Sequence, residues 1–197
     1  MRLFITSAIA IVLAGVVWYF APARSASPPQ TGPIKVGDAR TDDSKAAALA
    51  ARNSYVGKPL TITGKTVDGK EFSTASLKGK VTLIHFWASW CPDCHAELPS
   101  AIKLYQSYHE KGLEIVGISS DVTAKDLRDY LAKTPEIPWT QLYTPPDSNG
   151  RHPLNTKYNV DWMPSVFILD QNGVVQSVNG DKDMDELVPR LLGSALK

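Results

Sequence analysis

Cys91 and Cys94 are the only cysteines of this 197-residue chain, and they stand two residues apart in Phe86-Trp87-Ala88-Ser89-Trp90-Cys91-Pro92-Asp93-Cys94. An apolar run, Val81 to Trp87, leads into the pair, and a helix-like stretch follows it. A strand that ends in Cys-x-x-Cys and opens a helix brings both sulfurs to a helix N-terminus, where the first backbone N–H groups lack partners. The partial positive charge there stabilises a thiolate, which is the reactive form of cysteine. The second cysteine can then displace the first from a mixed disulfide. This arrangement indicates thiol–disulfide exchange. A structural disulfide and half of a zinc site are the rival uses. Zinc needs more Cys or His at ligand spacing, and only His95 adjoins the pair. No metal is therefore expected, and no cofactor beyond the Cys91–Cys94 disulfide itself.

Four ionisable residues surround the pair in the sequence. Glu97 follows Cys94 by one helical step and falls on the same face. A raised carboxyl pKa there would make it a proton acceptor; the plainer use is a first-turn acid favouring the helix N-terminus. His85 shares a strand face with Val81 and Leu83 by alternation. It is read either as a proton relay to Cys94, since imidazole titrates near neutrality, or as a satisfied core histidine. Asp93 disfavours a nearby thiolate, which destabilises the reduced pair and makes it more reducing. His95 offsets this when protonated.

The elements that must position these residues alternate along the chain. Leu60 to Val67, the turn Asp68-Gly69 and Lys70 to Thr74 read as a β-hairpin. Val81 to Trp87 reads as a buried strand, with Trp87 in the core, and Cys91 to about Glu110 as a helix with a kink or break at Pro99. Leu113 to Ser119 is another apolar strand. Thr123 to Lys133 is helical with Thr123 as N-cap. Pro138 to Tyr143 reads as a short strand, Thr144 to Pro153 as a breaker-rich loop, and the residues up to Val160 as a short helix. Ser165 to Leu169 and Val174 to Val178 are strands joined by the turn Asp170-Gln171-Asn172-Gly173, and Met184 to Leu196 is a closing helix. Strands interleaved with helices imply an α/β fold whose central mixed β-sheet, parallel in the middle and antiparallel at one edge, is flanked by helices.

The first twenty residues speak to location. Leu3 to Phe20 carries no charge and ends in Trp18-Tyr19-Phe20; as a helix it spans about 27 Å at ~1.5 Å per residue, close to the hydrocarbon core of a bilayer. A single transmembrane helix over residues 1–20 is the preferred reading, because the run exceeds the usual length of a signal-peptide core. A cleaved signal, with Ala21-Pro22-Ala23 as a weak site, is the alternative. Residues 21–53 read as a flexible linker, begun by Pro22, Pro28, Pro29 and Pro33. Within it Asp42 to Ala51 can form a short helix, and the sequence does not decide whether that helix packs on the domain. A domain of residues 54–197 follows. Having no spare thiol suits an exchanging protein in an oxidising compartment. A net charge of +1 with 21% charged residues forms no basic stripe, so nucleic acid is not an expected partner.

The run Gly79-Lys80-Val81 through Cys91-Pro92-Asp93-Cys94-His95-Ala96-Glu97-Leu98-Pro99 resembles the membrane-anchored TlpA/ResA group of thioredoxin-like proteins. Val56-Gly57-Lys58-Pro59, Asp68-Gly69-Lys70, a helical insertion near 120–135, and Met163-Pro164-Ser165 before a strand fit the same pattern. The resemblance implies a thioredoxin-like fold and a catalytic domain on the periplasmic side of a bacterial cytoplasmic membrane. It casts Cys91 as the attacking cysteine, Cys94 as the resolving one and Glu97 as a helper in proton handling. Pro164 matches the family's cis-proline, which would present the Met163 backbone to a substrate strand; Met163 departs from the β-branched residue common there. Trp90, Pro92, Met163 and Pro164 are then the substrate-facing residues. His85 stands where thioredoxin has a buried acid.

The expected function is reduction of disulfides in exported proteins, apocytochrome c being one class. The chain would be a monomer held to the membrane by its N-terminal helix and recharged by a membrane thiol donor. An oxidase or isomerase runs the same chemistry in the other direction. A peroxidase is disfavoured because Ala88 stands where its Thr or Ser would be. A Cu(I) metallochaperone using Cys91, Cys94 and a histidine such as His95 is the alternative outside exchange chemistry, although its family branch has a wider cysteine spacing.

Overall fold

The unbroken apolar character of Val81–Trp87 makes it the central strand of the molecule: all seven residues are buried, and the strand is paired on both edges. The computed structural model describes residues 39–195; the expected membrane helix over 1–20 and the linker as far as residue 38 lie outside the described residues. In chain order the elements are α1 (Ala39–Asn53), β1 (Thr63–Lys65), β2 (Glu71–Ser73), β3 (Val81–Trp87), α2 (Pro92–Tyr108), β4 (Leu113–Ser119), α3 (Ala124–Leu131), β5 (Thr140–Tyr143), α4 (Pro153–Lys157), β6 (Ser165–Leu169), β7 (Val175–Ser177) and α5 (Gly180–Ala195). A five-stranded sheet runs β5-β4-β3-β6-β7, and β1 and β2 form a separate hairpin. β3, β4 and β5 are parallel, β6 pairs antiparallel with β3, and β7 pairs antiparallel with β6.

Alternation along β3 divides the core into two layers. Val81, Leu83 and Trp87 pack with Leu98 and Leu104 of α2 and with Leu187 and Val188 of α5. Ile84 and Phe86 pack with Val116, Leu142, Tyr158 and Phe167 on the other face, together with Ile62. The register sets Phe86 opposite Ser165 and Trp87 opposite Ser119. The loops after β3 and β4 and the loop before β6 therefore gather at one end of the sheet, the usual place for a site in such folds.

Three expectations change in detail. The interval expected as a linker contains α1, whose Ala48 and Arg52 are 7% and 1% exposed; these residues lie on one face of the helix, so this end packs on the domain. Pro99 lies inside α2, which continues through it to Tyr108. Only the N–H facing the His95 carbonyl is lost, and Pro99 is exposed. α5 starts at Gly180 rather than Met184. A Cβ at Gly180 would come within 2.6 Å of Val166 Cγ1 and 2.9 Å of Ile168 Cγ1, so the bare backbone is what lets the helix begin against β6. Among the described residues no helix is long and apolar enough to cross a membrane.

Gly117 of β4 shows how tightly this sheet end is filled. A Cβ there would overlap the Gln141 side-chain amide, whose Oε1 accepts the buried indole N–H of Trp87 at 2.9 Å. Gly117→Ala should displace Gln141 and strand that donor, a loss of about 1–3 kcal/mol. Gly193→Ala, on a helix with open space around it, should be neutral or slightly stabilising. Urea unfolding of both variants checks this, and equal effects would refute the packing argument.

Candidate active site

The chain leaves β3 at Trp87 and reaches Cys91, which caps α2 in an extended conformation (φ −90°, ψ 111°), with Pro92 at the first helical position. A fixed φ and a missing N–H suit proline there. Cys91 and Cys94 form a disulfide with Cα atoms 5.3 Å apart. The Cys94 N–H donates to Cys91 Sγ at 3.2 Å, so one helix-start donor points at the first sulfur. Cys91 is 5% exposed and Cys94 is wholly buried; the first cysteine offers only an edge to solvent and the second none. Pro92, Asp93 and His95 are exposed. His95 Nε2 lies 2.7 Å from the Ser89 carbonyl, which can only accept, so Nε2 carries the proton. The His95 ring stacks on Tyr130 of α3 at 5.3 Å, and Tyr130 also meets Trp87 edge-on.

Between β3 and α2, His85 Nε2 approaches Glu97 Oε2 at 3.7 Å, with side-chain exposures of 2% and 9%. Neither side chain has a hydrogen-bond partner among the described residues. Burial pushes the His85 pKa down to about 4. Burial first, and then the charge of Asp181, pushes Glu97 up to about 7. The contact has ion-pair spacing, yet burial opposes both charges. With no hydrogen bond to repay the desolvation, the neutral arrangement prevails between about pH 4 and 7: a protonated carboxyl facing an uncharged imidazole. His85 also stacks on Trp87, with ring centroids 6.1 Å apart.

The rest of the site comes from the two neighbouring strand ends. Asp121, just past β4, is fully buried. Its carboxylate accepts from the Ser89 N–H at 3.1 Å, from the Ser89 hydroxyl, and from the Ser119 hydroxyl at 2.7 Å. A buried carboxylate satisfied by several donors holds its surroundings firmly; here it ties the loop before Cys91 to β4. The indole N–H of Trp90 donates to the Ser120 carbonyl at 3.3 Å, while the ring is 57% exposed. Before β6, the Met163–Pro164 bond is cis and Met163 packs against the core cluster that contains both cysteines. Trp90 and Met163 border one open groove of 630 Å³, whose far rim is Pro146, Arg151 and Asn155. The breaker-rich loop thus lies on that groove.

The structure brings Cys91, Cys94, Trp90, Met163 and Pro164 to one end of the sheet, and it pairs His85 of β3 with Glu97 of α2. His95 is turned to a backbone carbonyl. Sequence reasoning missed Asp121, Ser120 and Arg52. For the first two a signal existed: Ser119-Ser120-Asp121 ends an apolar strand with polar residues at the edge where α/β sheets hold their ligands. Arg52, buried against Ser165 and Trp162, carried none.

A thioredoxin-like family profile matches residues 79–175. The chain is 35% identical over 118 residues to the thioredoxin-like protein YneN of Bacillus subtilis, covering 58% of this chain and 65% of that one. It is 29% identical over 122 residues to the thiol-disulfide oxidoreductase ResA of Bacillus cereus, covering 61% and 67%. The match thus spans about two thirds of the length of these curated relatives, slightly less for YneN. A crystal structure of a thiol:disulfide interchange protein of the thioredoxin family from Chlorobium tepidum superposes with a TM-score of 0.57 at 28% identity, over 70% of this chain and 97% of that one.

The His85–Glu97 pair has a testable pH signature. Glu97, raised from 4.5 to about 7, keeps its proton in the folded state where the unfolded chain has lost it, so its contribution to stability falls as pH rises through that window. His85, lowered from 6.5 to about 4, stays neutral where the unfolded chain is charged, so its contribution rises over pH 4 to 6.5. The two slopes oppose each other. Relative to wild type, Glu97→Gln should therefore gain roughly 3 kcal/mol of stability between pH 4.5 and 7, and His85→Asn should lose a comparable amount between pH 4 and 6.5. Guanidinium unfolding of the oxidised proteins across that range reads both slopes. Parallel curves for all three proteins would refute the neutral pair.

Proposed function

The chain belongs to the thioredoxin-like family through residues 79–175, and from that premise we propose that it is an extracytoplasmic thiol–disulfide oxidoreductase that reduces disulfides of exported proteins. The observation that carries the reading is the Cys91–Cys94 disulfide at the start of α2, with a groove leading from Trp90 to Met163. The relatives named thiol-disulfide oxidoreductases support the reaction type. The uncharged Leu3–Phe20 run and the absence of any third cysteine support a membrane-anchored protein facing an oxidising compartment.

In the proposed cycle, Cys91 as thiolate attacks one sulfur of the substrate disulfide. A Cys91–substrate bond forms, the substrate S–S bond breaks, and the departing sulfur takes a proton. Cys94 then gives up its proton and attacks Cys91 Sγ. The Cys91–Cys94 disulfide forms and the second substrate thiol leaves. Two electrons pass from the dithiol to the substrate, and a membrane thiol donor restores the dithiol. Glu97, three residues after Cys94 on α2, is the group we assign to take the Cys94 proton in its ionised fraction, and burial and the charge of Asp181 set how readily it ionises. Trp90, Pro92 and the Met163–Pro164 edge would receive the substrate segment. Among exported proteins, apocytochrome c is the client class that the family resemblance suggests.

Direction follows from potential. Equilibrating the full chain in detergent against glutathione and dithiothreitol buffers should give a value below about −220 mV, the reductant range. A value near about −120 mV would make the protein an oxidant. Failure to form the disulfide would favour Cu(I) binding through the two thiolates instead. Asp93→Asn should make the potential less negative, because losing the carboxylate relieves repulsion on the thiolate and stabilises the reduced pair. A shift in the other direction would refute that electrostatic account.

A further inference from the structure

Arg52, in the last turn of α1, is 1% exposed. Its Nη1 donates to Ser165 Oγ at 2.7 Å, and Ser165 Oγ donates onward to the Trp162 carbonyl at 2.9 Å. The guanidinium carbon sits 4.0 Å from the centre of the Trp162 ring, and Nε has no hydrogen-bond partner among the described residues. Asp161 and Asp181 are close enough to act on it by charge. Burying a guanidinium costs several kcal/mol, and an apolar side chain of similar size stabilises as well or better. One hydrogen bond and one ring face are modest compensation. Both fall on the same short segment, Trp162 to Ser165, which carries Met163 and the cis-proline Pro164.

That segment has a free edge. Among the described residues, nothing bonds to the Met163 backbone N–H or C=O, although Met163 lines the groove beside Trp90. An unpaired backbone edge can add an extended peptide as a further strand, provided that the edge is held still. We propose that Arg52 is a positioning residue that locks the Trp162–Ser165 segment, so that Met163 offers its backbone to an extended polypeptide flanking the substrate disulfide. The planar guanidinium suits such a role because it stacks on one residue of the segment while its fork bonds another, which a lysine ammonium cannot do. The substrate class is then a disulfide within an extended polypeptide, as opposed to a small-molecule disulfide that needs only the Cys91 sulfur. The inference rests on the oxidoreductase reading above.

The test compares two oxidants of the pre-reduced full chain in single turnover: insulin, whose disulfides lie in polypeptide, and 5,5′-dithiobis(2-nitrobenzoate), a small disulfide with no polypeptide around it. Wild-type protein reacting with both upholds the oxidoreductase reading whatever the variants do; reaction with neither sinks that reading and this one together. Arg52→Met should raise the insulin concentration at half-maximal rate about tenfold, equivalent to roughly 1.4 kcal/mol. The limiting rate and the small-disulfide rate should stay within about twofold, and the Cys91–Cys94 potential should be unchanged. Arg52→Lys should lie between Arg52→Met and wild type. Equal losses with both oxidants would overturn the proposal in favour of a general structural role, and so would no loss with either. Should Arg52→Met fail to fold, Ser165→Ala removes the same hydrogen bond with a smaller change and decides by the same comparison.

Discussion

Everything at the active end of this molecule depends on β3 being buried along its whole length. A strand paired on both edges and covered on both faces cannot slip by one residue without turning Leu83 and Trp87 out of one layer and Ile84 and Phe86 out of the other. The register is therefore fixed, and so is the point at which the chain leaves the sheet. From Trp87 only a short loop remains before Cys91 must cap α2. The same pairing sets Ser119 beside Trp87 and Ser165 beside Phe86, which places the other two contributing segments without further instruction.

Polar groups hidden from water collect at that end, and each is handled differently. Asp121 is satisfied by two serines and a backbone N–H, so it serves as a fastener. Arg52 keeps its charge because a guanidinium does not deprotonate, and it leans on a ring and a hydroxyl. His85 and Glu97 find neither donors nor acceptors, and they answer by giving up charge. The first two arrangements hold loops in place, whereas the third stores a proton. Rigid loops and a movable proton are the two things that the proposed exchange requires from its surroundings.

Much of the fold was legible because its central strands are buried on both faces and read as unbroken apolar runs. Val81–Trp87, Leu113–Ser119 and Ser165–Leu169 have the bounds the sequence implied. The Thr123 cap was legible for a local reason, and it forms a reciprocal capping box with Asp126. Cys91, Cys94 and Glu97 could be placed because a helix face is a local property. What escaped the sequence is long-range. Arg52 looks like any surface arginine until Ser165, remote in the chain, meets it. Asp121 looks like a loop acid until Ser89 is laid beside it. The start of α5 at Gly180 depends on its proximity to Val166, which no local pattern encodes.

The neutrality of the His85–Glu97 pair also constrains the proposed chemistry. A protonated carboxyl accepts nothing, so Glu97 can take a proton from Cys94 only in its ionised fraction. With the pKa raised to about 7, that fraction is near half at neutral pH, whereas an ordinary carboxylate would be fully ionised yet a much weaker base. A base nearer in pKa to a thiol, at about 8.5, accepts its proton with a smaller uphill step. Raising Glu97 further would leave too little of it ionised. The neutral imidazole at 3.7 Å sits where it can soften the charge that appears when Glu97 ionises, without contributing a fixed positive charge that would drag the pKa back down. A buried acid in place of His85 would add a like charge beside Glu97 and push its pKa higher still. Histidine at this strand position thus leaves Glu97 as the group that ionises near neutrality.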